Sequence, residues 1–243
     1  MAGFIRSIRS IAALFLCLSA VGCSSGERGE FKAQQLVFNG EKRNYSVYVP
    51  KDYSPTEKTP AILFLHGLFE GGNDGEEMTG VGIGPAIKRN PKLFKSIVIM
   101  AQTSGSWRDR KQLPLAMATL DDAVKKFNVD PDRISLTGLS TGGAAVWMLG
   151  AAHPKRFSAL APMCAHSVTE DVPKLTRIPV WAFSNSTDPF VPASNSKSMV
   201  EKINKKGGNA QLTIFSGFGH NCWDEAYDDE KFVRWLQTQR RKS

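Results

Sequence analysis

Apolar residues fall along this chain in two kinds of run. Residues 61–65 (AILFL) and 96–101 (SIVIMA) are short and continuously apolar, as a strand covered on both faces requires. Residues 134–137, 158–162, 180–184 and 211–216 read as further strands. Upstream, residues 34–38 and 43–49 flank Asn39-Gly40-Glu41, and an Asn-Gly turn between two such runs predicts a β-hairpin. Between the strands the period changes. Leu113, Met117, Leu120, Val124 and Phe127 recur at helical spacing, and that helix ends near Asn128-Val129-Asp130-Pro131. Residues 141–152 form an Ala-, Met- and Leu-rich helix stopped at His153-Pro154. Helices over 194–206 and 225–240 complete the pattern. Roughly eight strands alternating with helices predict an α/β sheet, mostly parallel with an antiparallel start, in one domain over residues 31–243.

The first thirty residues do not fit this alternation. Arg6 and Arg9 precede an eleven-residue apolar stretch, residues 11–21, too short to span a bilayer as a helix. Residues 1–22 therefore read as a secretory signal peptide. The run Ser19-Ala20-Val21-Gly22-Cys23 resembles a bacterial lipobox, which implies acylation of Cys23 and anchoring of the mature chain to a membrane. Residues 23–30 are then a lipid-anchored tether. Ser24, where an aspartate would favour the inner membrane, points to the outer membrane or cell surface. The expected location is the bacterial cell envelope, outside the cytoplasm.

That reading changes what the charge means. The 243 residues carry 31 basic and 23 acidic side chains, a formal +8. Removing residues 1–22 leaves 29 basic residues against 23 acidic ones, +6, on an exported protein that would rarely meet nucleic acid. The basic clusters Lys205-Lys206 and Arg240-Arg241-Lys242 are solvated helix ends on this view. Of four cysteines, Cys17 goes with the signal and Cys23 is acylated. Cys164 and Cys222 remain, and an extracytoplasmic location permits a disulfide between them.

The candidate chemistry begins at Gly138-Leu139-Ser140-Thr141-Gly142-Gly143, between the strand ISLT and a helix. G-x-S-x-G in that setting is a nucleophile elbow, a tight turn that projects the serine hydroxyl above the sheet and needs glycine where the chain passes itself. Asp188 follows the strand VWAFS, and His220 lies on a glycine-flanked loop before the last helix, in the chain order Ser, acid, His. Ser140 is the expected nucleophile, His220 the general base and Asp188 its orienting acid. Asp171, Asp224 and Asp228 are rivals for the acid, disfavoured by chain order. His66-Gly67-Leu68 ends the strand AILFL, where a backbone N–H for an oxyanion is expected. The amides of Leu68 and Thr141 are the candidates, with His66 fixing the loop. Trp107 and Trp223 are candidates to line the substrate site. No metal-binding spacing, phosphate loop or dinucleotide fingerprint occurs, so no cofactor or metal is expected.

The segments LFLHG, LTGLSTGG, STDPFVP and GHNCWDEAY together resemble the α/β-hydrolase superfamily. Within it they are similar to extracytoplasmic esterases related to feruloyl and acetylxylan esterases, polyhydroxyalkanoate depolymerases and "predicted peptidases". The likeness covers nearly all of residues 34–240. It implies helices on both faces of the roughly eight-stranded, mostly parallel sheet, and this chain departs from it in having no large cap insertion. It also implies a serine esterase that cleaves acyl or feruloyl esters, on polysaccharide or on small molecules, through an acyl-enzyme. A serine peptidase of the same fold and a non-catalytic binding lipoprotein are the alternatives. The partners expected are an ester substrate and the membrane; no protein partner is readable.

Overall fold

The computed structural model describes residues 29–167 and 171–241. The signal-peptide and acylation sites at 1–22 and Cys23, and most of the tether, lie outside the described residues.

Eight strands form one sheet: β1 Glu30–Phe38, β2 Glu41–Val49, β3 Thr59–Leu65, β4 Ile97–Ala101, β5 Val129–Leu139, β6 Ala159–Met163, β7 Val180–Thr187 and β8 Ala210–Phe218. Their spatial order is β1-β2-β4-β3-β5-β6-β7-β8. β1 and β2 are antiparallel, as are β2 and β4; every later neighbour pair is parallel. The hairpin closes on Asn39 and Gly40, both with positive φ (52° and 80°), which matches the turn that strand twist favours. β1 starts at Glu30, so the last residue assigned to the tether belongs to the sheet.

Among the described residues, seven α-helices cover the sheet: α1 Ile83–Arg89, α2 Leu113–Lys126, α3 Thr141–Ala152, α4 Val172–Leu175, α5 Ser194–Lys205, α6 Trp223–Asp228 and α7 Glu230–Thr238. The continuous apolar strands are explained by this double cover. Ala61, Leu63 and Leu65 of β3 join the core under α2, α3, α4 and α5. Ile62 and Phe64 of the same strand join the core under α1, α6 and α7. Successive strand residues point to opposite faces, so only an unbroken apolar run fills both cores.

The helix predicted over 225–240 is two helices. Asp229 takes an extended conformation (ψ 107°) and its carboxylate accepts from the Lys231 amide at 2.8 Å, capping α7. α1 and α4 had no sequence counterpart: α1 carries Gly84 and Pro85 in its first turn, and α4 is only four residues long. Parallel pairing brings the C-terminal ends of β3, β5, β6, β7 and β8 to one end of the sheet, and the candidate residues stand there.

Candidate active site

Ser140 is the turn between β5 and α3. Its φ is +53°, a conformation that side-chain-bearing residues rarely hold. The surroundings fix it there. Its amide donates to the Met163 carbonyl at 2.9 Å and its carbonyl accepts from Ala144 at 3.0 Å. Glycine is obligatory around it: a Cβ on Gly138 would sit 2.8 Å from the Gly142 carbonyl, and one on Gly142 would overlap the Leu65 carbonyl oxygen.

His220 and Asp188 meet Ser140 from two other loops. His220 Nε2 lies 2.8 Å from Ser140 Oγ, and His220 Nδ1 lies 2.6 Å from Asp188 Oδ2. The Asp188 side chain is fully buried, and its Oδ1 accepts from the amides of Phe190 (2.8 Å) and Val191 (3.0 Å). A carboxylate held this way is an acceptor, so the proton between it and the ring belongs on Nδ1, leaving the Nε2 lone pair facing the serine hydroxyl. Asn185 anchors the histidine loop, donating through Nδ2 to the carbonyls of Gly219 (2.9 Å) and Asn221 (3.0 Å). Phe190 and Trp223 pack edge-on against the imidazole, with centroids 5.6 and 5.4 Å away. The rival acids are engaged elsewhere: Asp171 with Lys174, Asp224 with Asn221 and Asp228 with Arg89.

Cys164 and Cys222 form a disulfide (Cα–Cα 6.5 Å) directly behind this group. Cys164, Asp188 and His220 place potential ligand atoms within 4.8 Å of one another. The sulfur is in the disulfide and the other two groups are bonded to each other, so the cluster offers no free ligand set.

Opposite Ser140, β3 leads into His66, which is wholly buried. Its Nε2 accepts the Thr103 amide at 3.2 Å, so Nδ1 carries the proton and donates to the Gly67 carbonyl at 2.6 Å. Burial pushes this imidazole down to about 4 and keeps it neutral. His66 thereby fixes the loop that presents Leu68. Neither the Leu68 nor the Thr141 amide donates to another described residue. Thr141 is the first residue of α3, where helix N–H groups lack internal partners and attract negative charge.

A cleft of about 340 Å³ opens over Ser140. Leu68, Phe69, Leu139, Phe190 and Trp223 form apolar walls, with Glu70 and Asn221 as polar groups. Trp223 is therefore at the cleft. Trp107 is not: it is wholly buried in the core beside α2, its ring 5.4 Å from that of His66, so it supports the loop rather than lining a substrate site. Phe69 and Phe190 were not singled out from the sequence, although both stand inside the motifs that carry the catalytic candidates. His166, in the loop after β6, is half-buried. It lies within electrostatic reach of Arg108, His220 and Asp188, and burial, then Arg108 and His220, lower its pKa. A larger cavity, about 530 Å³, is lined by Lys155, Arg177 and Arg241 near the start of β6 and β7 and holds no serine–histidine pair.

Comparison with known proteins identifies the family and the fold. Residues 95–231, more than half the chain and including Ser140, Asp188 and His220, match the dienelactone hydrolase family. NocK of Nocardia uniformis subsp. tsuyamanensis, named as an esterase, is 27% identical over 171 residues, covering 66% of this chain and 49% of its own length. The chain thus spans about half the length of that relative. A thermostable esterase of known structure superposes with a TM-score of 0.78 at 29% identity, covering 87% of this chain and 63% of the other. A ferulic acid esterase shares the fold, with a TM-score of 0.67 at 16% identity over 86% of this chain and 98% of its own. The chain belongs to the dienelactone hydrolase family and has the α/β-hydrolase fold.

Proposed function

We propose that this protein is a serine esterase that hydrolyses carboxylic esters through an acyl-enzyme. The observation that carries the reading is the unbroken hydrogen-bonded line from Ser140 Oγ through His220 to the buried Asp188 carboxylate. In this mechanism Ser140 Oγ attacks the ester carbonyl carbon and its proton passes to His220 Nε2. Asp188 stabilises the imidazolium through Nδ1–H. The developing oxyanion is met by the amides of Leu68 and Thr141. His220 then returns the proton to the departing alcohol. Water attacks the acyl-enzyme with His220 as base, releasing the acid and restoring Ser140. The apolar, aromatic-walled cleft supports acyl or feruloyl esters, on polysaccharide or on small molecules.

Hydrolysis of p-nitrophenyl acetate by the protein and by Ser140→Ala tests this. The substitution is expected to lower kcat by about a million-fold, as for serine hydrolases whose nucleophile is removed. Equal rates in the two proteins, or cleavage of peptide reporters with no action on esters, would replace the reading.

The sequence of residues 1–23 supports a lipid-anchored location in the cell envelope. Cys23→Ser is expected to move the protein from the membrane to the soluble fraction of expressing cells. Full retention in the membrane pellet would count against the anchor.

A further inference from the structure

The two ends of the sheet differ in charge. The connections that enter β3 to β8, residues 50–58, 90–96, 127–128, 153–158, 176–179 and 206–209, carry eight basic and two acidic side chains. The described connections that leave the parallel strands at the cleft end, residues 66–82, 102–112, 140, 164–167 with 171, 188–193 and 219–222, carry three basic and seven acidic ones. The molecule is therefore polarised along its strands, positive at the end away from Ser140. Lysines in the last turn of a helix answer the helix dipole and need no ligand. Lys58, Lys92, Lys155 and Arg177 lie outside the helices, all four are exposed, and none is in a salt bridge with a described residue. Between Lys155 and Arg177 this end is indented by the cavity of about 530 Å³.

The course of β1 says what this end meets. β1 and β4 are each antiparallel to β2, so β1 runs in the direction of the parallel strands and starts at the basic end. Gly29, just before it, lines a crevice with Pro91, the neighbour of Lys92. Cys23 is six residues before Gly29, a reach of about 20 Å at full extension. A chain acylated at Cys23 thus holds the basic end within that distance of the lipid headgroups. The cleft stands farther out by the length of β5, eleven residues or about 35 Å. Such a tether also raises the headgroup concentration at the basic end, an advantage that no dissolved polyanion shares.

We infer that the end of the sheet opposite the cleft, at Lys92, Lys155 and Arg177, docks on anionic phospholipid headgroups of the membrane that holds Cys23, with the cleft turned to the aqueous side. This rests on the acylation reading for its partner, but the binding it requires can be measured without an acyl chain.

Flotation of the full-length Cys23→Ser chain with phosphatidylcholine vesicles, with and without a third of phosphatidylglycerol, tests it. Apolar contacts of residues 1–22 are common to both vesicles, so the ratio of the two affinities reads charge. The anionic vesicles are expected to bind at least a hundredfold more tightly, and the preference is expected to vanish in about 0.5 M salt. Lys92→Gln/Lys155→Gln/Arg177→Gln is expected to lower the preference about a hundredfold, at about fivefold for each basic side chain near an anionic surface. Arg108→Gln/Arg110→Gln/Lys111→Gln removes the same three charges from the cleft end and is expected to keep the preference. No preference in the parent chain, or equal losses in the two triple variants, overturns the inference. Tighter binding to alginate than to the anionic vesicles would replace the membrane with an acidic polysaccharide. Fractionating expressing cells in high salt screens this contact and so tests the acyl anchor alone. Retention of the Cys23→Ser chain in that pellet, with the vesicle preference intact, sinks the anchor and leaves the basic end a lipid-binding surface. Release of that chain with no vesicle preference sinks the surface and leaves the anchor.

Discussion

His66 is buried in its neutral form, and that sets a sign for stability against pH. In the unfolded chain its imidazole takes a proton near its ordinary value of 6.5, whereas in the fold it does so only near 4. A proton on Nε2 would face the Thr103 N–H, donor against donor. Its contribution is therefore fully present above pH 6.5 and is lost as pH falls towards 4, because the unfolded state binds the proton first. Over that window the loss amounts to about 3 kcal/mol. His66→Gln keeps an acceptor in place but cannot titrate. Urea midpoints between pH 7 and 4 should fall less steeply in this variant than in the wild type, by up to one proton's worth of slope. Parallel profiles would show that His66 does not hold its neutral state alone.

At the scale of elements, the position of α3 is decided by backbone contact rather than side-chain choice. Gly142 lies so close to β3 that a Cβ would meet the carbonyls of both Leu65 and His66, which cannot give way without shifting the strand. Gly142→Ala is expected to cost about 3 kcal/mol or more and to pull the Thr141 amide away from Ser140. Gly207 supplies the contrast. It has φ +81° and open space around its Cα, so Gly207→Ala carries only the left-handed penalty of about 1 kcal/mol. Chemical denaturation of the two variants, with the ester assay alongside, separates steric from conformational cost.

The same distinction explains what could be read from the sequence. The elbow was legible because a single close approach forces glycine at fixed offsets from Ser140. The strands were legible because a doubly covered sheet demands unbroken apolar runs. α1 was not, because its first turn contains Gly84 and Pro85 and its helical state comes from packing against β3, β4 and α6. The split at Asp229 was not, because Asp in a polar stretch signals a cap only when the backbone turns there. Trp107 was assigned to the cleft from its place after β4; nothing in the sequence says that its ring turns inward beneath His66. Phe69 and Phe190 stand beside the catalytic candidates in the sequence, but their place at the cleft and their exposure are tertiary properties.

Across the whole molecule, the proposed reaction centre depends on loops that the sheet order brings together from distant parts of the chain. Ser140 follows β5, Asp188 follows β7 and His220 follows β8, so a shift of β8 against β6 would separate base from nucleophile. Backbone pairing holds β7 to both neighbours, but β8 is an edge strand paired only with β7. The Cys164–Cys222 disulfide supplies the missing tie. It joins the end of β6 to the loop that follows β8, passing behind Asp188 and His220 and closing a sequence separation of 58 residues. A cross-link over that length removes unfolded-state entropy worth about 4 kcal/mol. In a domain of this size that corresponds to a melting temperature about 10 °C lower after reduction. Thermal melts with and without a phosphine reductant should show the drop, and the Cys164→Ala/Cys222→Ala double variant should reproduce it while no longer responding to reductant. Since Cys222 is two residues from His220, activity in the reduced protein should decline below its melting point, ahead of global unfolding. A reduced protein with unchanged melting temperature and activity would mean that β8 is held by its β7 pairing and by α5 without the disulfide.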